Sequence, residues 1–215
     1  MKIDKDYKKS GQTEEWANGN VSLMRIMPVC LYSYAESKND KITLNDALEY
    51  VHQASALTHN HLRSKIACGI YFFMVQAILD TNGNLIQRLQ KGMDNAADFY
   101  VSDISNLTEW AHYGRIYNIT EFADTSADDI KSSGYVVDSL EAAVWSLITT
   151  DSFKEGLLRA VNLGGDTDTI GAIAGGLAGL YYGYNSIPME WRKSVIKAGE
   201  IVEVCEAVEE MYCNK

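Results

Sequence analysis

Apolar positions recur along this chain at helical spacing and almost nowhere alternate. From Leu44 they return at Ala47, Leu48, Val51, Ala54 and Leu57, the rhythm of a helix that buries one face. Thr43, with Asp46 three residues later, has the form of a capping box for that helix. Residues 62–79 are apolar on more than one face, which predicts a central helix, and Asn82-Gly83-Asn84 stops it. Leu85, Leu89, Met93 and Ala96 set a helix over 85–99, and a further one is expected over 106–117 around Trp110. Val136, Leu140, Ala143, Val144, Leu147 and Ile148 mark the next stripe. Ser152 and Glu155 form a second capping box, opening a short helix to Val161, and two helical stretches follow Pro188. Strand-like fragments such as Tyr135-Val136-Val137 are too short to compete. The pattern predicts an all-α, compact multi-helix protein of one domain over residues 1–215. Residues 1–17 form a polar, irregular lead-in with Trp16 as its anchor.

Charge and cysteine usage narrow the picture. A net charge of −10 argues against a surface that tracks nucleic-acid phosphates, though a local site can still hold a nucleotide-sized ligand. No stretch reads as a membrane span, and residues 1–10 lack the apolar run of a signal peptide. Cys30, Cys68, Cys205 and Cys213 show no C-x-x-C spacing and read as reduced, mostly core residues. A cytoplasmic protein is the expectation.

The chemistry concentrates in a few short stretches. Gly164-Gly165-Asp166-Thr167-Asp168-Thr169 places two carboxylates and two hydroxyls ahead of an apolar, small-residue run. Asp and Thr suit a helix N-cap, and they equally suit half of a site for a hard cation, which takes oxygen ligands. Asp166, Asp168 and Thr169 are the candidate ligands. Behind them Gly171, Gly175, Gly179 and Gly183 recur every four residues, a ridge without side chains. Each helical glycine costs about 1 kcal/mol against alanine, so a closely packed backbone is expected there. Asn18-Gly19-Asn20-Val21-Ser22 is a turn in which Ser22 can cap the next helix. It is either a plain turn or a cradle for phosphate and sugar oxygens. Arg25 fits an ion pair or an anion contact. His59 and His61 sit at i and i+2 and share no helix face; each is a cap, a solvated side chain or a loop ligand. Asp128-Asp129 reads as a solvated helix start rather than a metal pair.

Residues 161–179, from Val161-Asn162-Leu163 through the glycine run, closely resemble the C-terminal signature of the ADP-ribosylglycohydrolase family. Asn18–Pro28 resembles the family's Asn-Gly-Asn-Gly-Ser-x-Met-Arg-x-x-Pro motif. Leu57-Thr58-His59 and Gly134-Tyr135-Val136-Val137-Asp138 look like family segments in the same order. The resemblance implies an all-α fold around a two-magnesium centre that hydrolyses the glycosidic bond at the ribose of an ADP-ribosyl group. By position it makes Asp166, Asp168 and Thr169 the magnesium ligands. It makes Asn18, Gly19, Asn20, Ser22, His59, Gly134 and Tyr135 contacts to ADP-ribose or an ADP-ribosylated protein. It assigns no catalytic acid or base.

Two departures qualify that expectation. Val21 stands where the family motif has Gly, which matters if that position needs a positive φ. No Thr-Asp-Asp occurs in the sequence, so the opposite half of the family's metal site has no counterpart. The expectations that follow are a non-catalytic ADP-ribose-binding module, or a chain whose apolar surface and metal site are completed by a second subunit or a separate N-terminal chain.

Overall fold

The structure is a computed structural model, and residues 10–213 are described. Among them are twelve α-helices, several 3-10 turns and two isolated bridges, with no strand. The helices are α1 (Val21–Met24), α2 (Met27–Lys38), α3 (Leu44–Ala56), α4 (Leu62–Asp80), α5 (Leu85–Val101), α6 (Leu107–Trp110), α7 (Ile119–Phe122), α8 (Val136–Ile148), α9 (Phe153–Asn162), α10 (Thr167–Tyr182), α11 (Met189–Ser194) and α12 (Ala198–Cys213). The all-α expectation holds.

α4 is the axis, packed by α2, α3, α5, α8 and α10. Its aromatic and aliphatic residues from Ile66 to Ile78 are nearly all buried. By length and composition alone α4 would pass as a membrane span. This corrects the expectation that no stretch would do so; the helix spends that apolarity on its neighbours instead. The Thr43–Asp46 box forms as read, with both reciprocal hydrogen bonds. Ser152 accepts from the Glu155 amide at 3.2 Å, a cap rather than a reciprocal box. The helix expected over 106–117 divides into α6 and a 3-10 turn over Ala111–Ile116.

The glycine ridge behaves differently from its reading. Beta carbons on Gly171 and Gly175 would meet side chains of α9, at 3.1 Å from Val161 and 3.6 Å from Leu157, and one on Gly179 would meet nothing. Gly183, with φ 81°, ends the helix instead of continuing the ridge. The contact that excludes a side chain is at Gly176, off the ridge, where the Tyr71 hydroxyl occupies the space of a beta carbon. The close backbone approach lies elsewhere, at Gly92 of α5 against the Met74 backbone of α4.

The lead-in also corrects its reading. Trp16 is 73% exposed and anchors nothing. Residues 1–9 of the lead-in lie outside the described residues; residues 10–17 are held by Gly11, whose amide donates to the Ala56 carbonyl, by buried Ala17, and by Glu15 paired with Arg63. Cys30 and Cys68 are buried as expected, whereas Cys205 is exposed because α12 buries so little. The side chain of Cys213 lies outside the described residues.

Candidate functional site

Four stretches far apart in the chain meet beside the start of α10. The turn Asn18–Asn20 lies against Gly134–Val136: the Asn20 amide donates to the Gly134 carbonyl at 3.0 Å, and the Val136 amide to the Asn18 carbonyl at 3.0 Å. These bonds form the Gly19–Tyr135 bridge. From this platform the Asn20 side-chain NH2 reaches Asp166 Oδ2 at 2.6 Å and Ser139 Oγ at 2.8 Å. The first is short and charge-assisted, a class worth about 1.5–3 kcal/mol. The other Asp166 oxygen accepts from the Thr169 hydroxyl at 3.2 Å.

Asp166 occupies the N-cap position of α10, but its side chain makes no cap hydrogen bond. Its carboxylate instead accepts from the side chains of Asn20 and Thr169. Gly165 permits this. Its φ is 67°, and a beta carbon there would fall on the Ser132 carbonyl oxygen. That same carbonyl accepts from the Asp166 amide at 2.9 Å. The two glycines before Asp166 thus reverse the chain in a conformation that L side chains avoid. Asp168, two residues on, is exposed. It lies in the first turn of α10, where negative charge is favoured.

The asparagines hold the turn from within. Asn18 donates to the Glu15 carbonyl at 2.8 Å and accepts from the Ser64 hydroxyl at 2.9 Å. Both Asn18 and Asn20 are buried. Ser22 does not cap a helix as expected; it lies inside α1, fully buried, and its hydroxyl oxygen accepts from the Cys68 thiol at 3.8 Å. The turn starts its helix two residues earlier than the sequence suggested, with Asn20 at the N-cap, which draws Ser22 into the core. It supports the turn from beneath, while Gly19 and Gly134 lie nearer the surface. Val21 opens α1, and the described non-glycine residues with positive φ are Asp40 and Lys197. Position 21 therefore makes no demand for glycine, and its side chain points outward.

His59 closes one side. Its Nε2 lies 2.9 Å from where a beta carbon on Gly19 would stand, so that glycine is what lets the ring approach the turn. Its Nδ1 lies 2.9 Å from Thr58 Oγ1, which in turn accepts from Arg25 at 2.8 Å. Burial, aided by the Arg25 charge, lowers the pKa of His59. His61 takes the capping role instead, accepting from the Arg63 amide at 3.2 Å at the start of α4.

Sequence reasoning missed three supports. Arg63 is buried and its guanidinium binds Glu109 at 2.7 Å, the Tyr135 hydroxyl at 3.1 Å and Glu15 at 3.3 Å. The Glu109 and Glu15 partners hold its charge, and through Tyr135 it fixes the platform. Ser139 relays between Asn20 and the Ser133 carbonyl at 2.9 Å, and Ser64 holds Asn18. Ser64 and Ser139 are polar residues inside apolar helical stretches, the one signal that could have marked them; Arg63, in the first turn of α4, gave none. Asp128 and Asp129 are exposed on a 3-10 turn, as read. A cleft of about 530 Å³ is lined by Glu49, His52, Lys65, Phe99 and Tyr100 among others, none of them part of this cluster.

A sequence model described as ADP-ribosylglycohydrolase matches residues 2–215. The chain belongs to that family. It is 41% identical over 91 residues to the ADP-ribosylarginine hydrolase Tri1 of Serratia proteamaculans, a match covering 42% of this chain and 25% of that protein. It is 30% identical over 173 residues to the ADP-ribosyl-[dinitrogen reductase] glycohydrolase of Rhodospirillum rubrum, covering 80% and 49%. A solved ADP-ribosylglycohydrolase-related protein complex superposes with a TM-score of 0.65 at 27% identity, covering 87% of this chain and 58% of that one. The matches thus span about half the length, or less, of these curated relatives.

Proposed function

We propose that this chain binds the ADP-ribosyl group on the Asn18–Asn20 and Gly134–Tyr135 platform, beside magnesium held at the start of α10, and hydrolyses the glycosidic bond at the ribose. One observation carries this reading. The Asn20 backbone is bonded to the Gly134 turn while its side chain is bonded to the Asp166 carboxylate, so ligand platform and candidate metal ligand form one unit. Asp166, Asp168 and Thr169 offer oxygen donors, the chemistry magnesium takes. Asn20 orients the Asp166 carboxylate, as outer groups orient metal ligands elsewhere. When bound, magnesium would polarise a water and stabilise charge developing at the ribose. The relatives' names, which include an ADP-ribosylarginine hydrolase, make ADP-ribosylated arginine the first substrate to try.

A second reading, ADP-ribose binding without turnover, is favoured by a specific feature. Among the described residues no three His, Cys, Asp or Glu side chains come together as a metal set. One turn of α10 supplies too few donors for two octahedral ions unless water, ligand or another chain completes them. Calorimetric titration of ADP-ribose with and without magnesium, beside a hydrolysis assay on an ADP-ribosylarginine peptide, separates the two. Turnover abolished by chelator and by Asp166→Asn supports the hydrolase. Binding without turnover supports the module, and turnover appearing only when an N-terminal region of a relative is added supports completion by a second chain. Absence of ADP-ribose binding at millimolar ligand would sink every version.

A further inference from the structure

We propose that Arg25 and Thr58 are positioning residues that hold the His59 imidazole as its Nε2–H tautomer and aim that N–H over Gly19 at an oxygen of the bound ligand. The inference rests on the ADP-ribose reading of the turn, but its core concerns the free protein. Arg25 Nη2 is 2.8 Å from Thr58 Oγ1 and 3.3 Å from the Ala54 carbonyl. A guanidinium can only donate, so the Thr58 oxygen accepts from it. The Thr58 hydroxyl keeps one proton, and His59 Nδ1 lies 2.9 Å away. Two arrangements are then available: Thr58 donates to a bare Nδ1, or Nδ1–H donates to Thr58.

The charge decides between them. A proton on Nδ1 would point its positive end at a hydroxyl already polarised by Arg25, whereas a lone pair there is stabilised by the same field. The guanidinium also makes the Thr58 hydroxyl a stronger donor. The bare Nδ1 therefore faces Thr58, and the remaining ring proton sits on Nε2. That nitrogen is the ring atom nearest the turn, at 2.9 Å from the beta-carbon position of Gly19. A neutral ring with a fixed N–H donor suits a phosphate or ribose oxygen. Burial and the Arg25 charge, which both disfavour the imidazolium, keep it neutral. The i, i+1 pair Thr58-His59 and the distant Arg25 thus act as one unit. Thr58 contributes by the proton it gives, and not by contact with ligand.

The test reads the ring nitrogens of His59 by 15N NMR in the free protein at neutral pH, assigned with a His59→Asn variant. The wild-type protein should show a protonated Nε2 and a bare Nδ1. Thr58→Val and Arg25→Gln should give mixed tautomers, and Thr58→Ser should keep the wild-type pattern. ADP-ribose titrations of the same proteins should show about tenfold weaker binding for Thr58→Val, or about 1.4 kcal/mol, with Thr58→Ser restoring it. A protonated Nδ1 in the wild-type protein, or an unchanged tautomer in Thr58→Val, would overturn the proposal. The expected tautomer with no ADP-ribose binding by wild-type protein would uphold the positioning of the ring and overturn the ligand reading of the turn.

Discussion

α10 and α12 are both sixteen residues long, and they are held in opposite ways. α10 buries Thr169, Ile170, Gly171, Ile173, Ala174, Leu177 and Ala178. Its backbone is tied to the core by the Tyr71 hydroxyl, which donates to the Ile173 carbonyl at 2.9 Å. In α12, Ile201, Val204, Val208 and Met211 are half or more exposed. Its ties to the body include the Tyr212 hydroxyl on Glu36 at 2.9 Å and Lys41 over the Tyr212 ring. α10 carries four glycines, at positions 171, 175, 176 and 179, with Gly183 as its C-cap, so its helical propensity is poor. α12 is rich in Glu, Ala and Val with a single glycine. Helical order at the candidate site therefore comes from packing, and order in α12 from local preference. The candidate ligands Asp166, Asp168 and Thr169 thus lie at the start of the helix that its neighbours fix.

The contrast can be broken most severely at Gly165. Gly165→Ala would force a side chain onto the Ser132 carbonyl at φ 67°. A stability loss of about 3 kcal/mol is expected by denaturant titration, from positive-φ strain plus the clash. A loss under about 1 kcal/mol would mean the turn before α10 is not fixed as described. Acid offers a second lever of similar size. His52 in α3 is pushed down to about 4 by burial, with its Nε2 2.7 Å from the Tyr100 hydroxyl. The unfolded chain binds that proton near pH 6.5 and the folded one only near pH 4. Stability is thus intact above pH 6.5 and falls by about 3 kcal/mol as pH drops through that window. His52→Gln should flatten this limb in thermal melts. Tyr71→Phe is the gentler probe: losing its bond to Ile173 should cost about 1 kcal/mol, with α10 amides near Ile173 exchanging faster.

Much of this was written in the chain, and what was missed has a physical reason. Periodicity placed α3, α5 and α8 because each buries a stripe at helical spacing, apolarity on more than one face marked α4 as central, and a cap at Ser152 marked the start of α9. The motifs at Asn18–Ser22, His59, Gly134–Tyr135 and Asp166–Thr169 were legible as stretches. Their mutual bonds were not, because a hydrogen bond such as Asn20 to Asp166 spans 146 residues and leaves no periodic trace. Arg63 was illegible for a related reason. A charged residue opening an apolar helix reads as a solvated end, and only Glu109, Glu15 and Tyr135 arriving from elsewhere make it a buried hub. The glycine ridge misled because spacing reports which residues share a face and not what that face meets. Gly176, one step off the ridge, is the glycine that Tyr71 requires.

The smallest expected effect tests the other helix. Val204→Ser and Val208→Ser remove apolar side chains that are 64% and 50% exposed. Burying a valine fully is worth about 1.5–3 kcal/mol, but these side chains have little burial to lose. Substitutions at such surface positions fall within about 0.5 kcal/mol, so each variant should unfold within that margin of the wild-type protein. Amides of α12 should exchange faster than those of α10, because few buried contacts resist local opening. Dilution sharpens the reading. If either serine costs 1 kcal/mol or more at high protein concentration and nothing at low, the apolar stripe of α12 is covered by association, and its exposure here belongs to the isolated chain. If the cost is large at every concentration, α12 packs on its own chain, and the contrast with α10 fails.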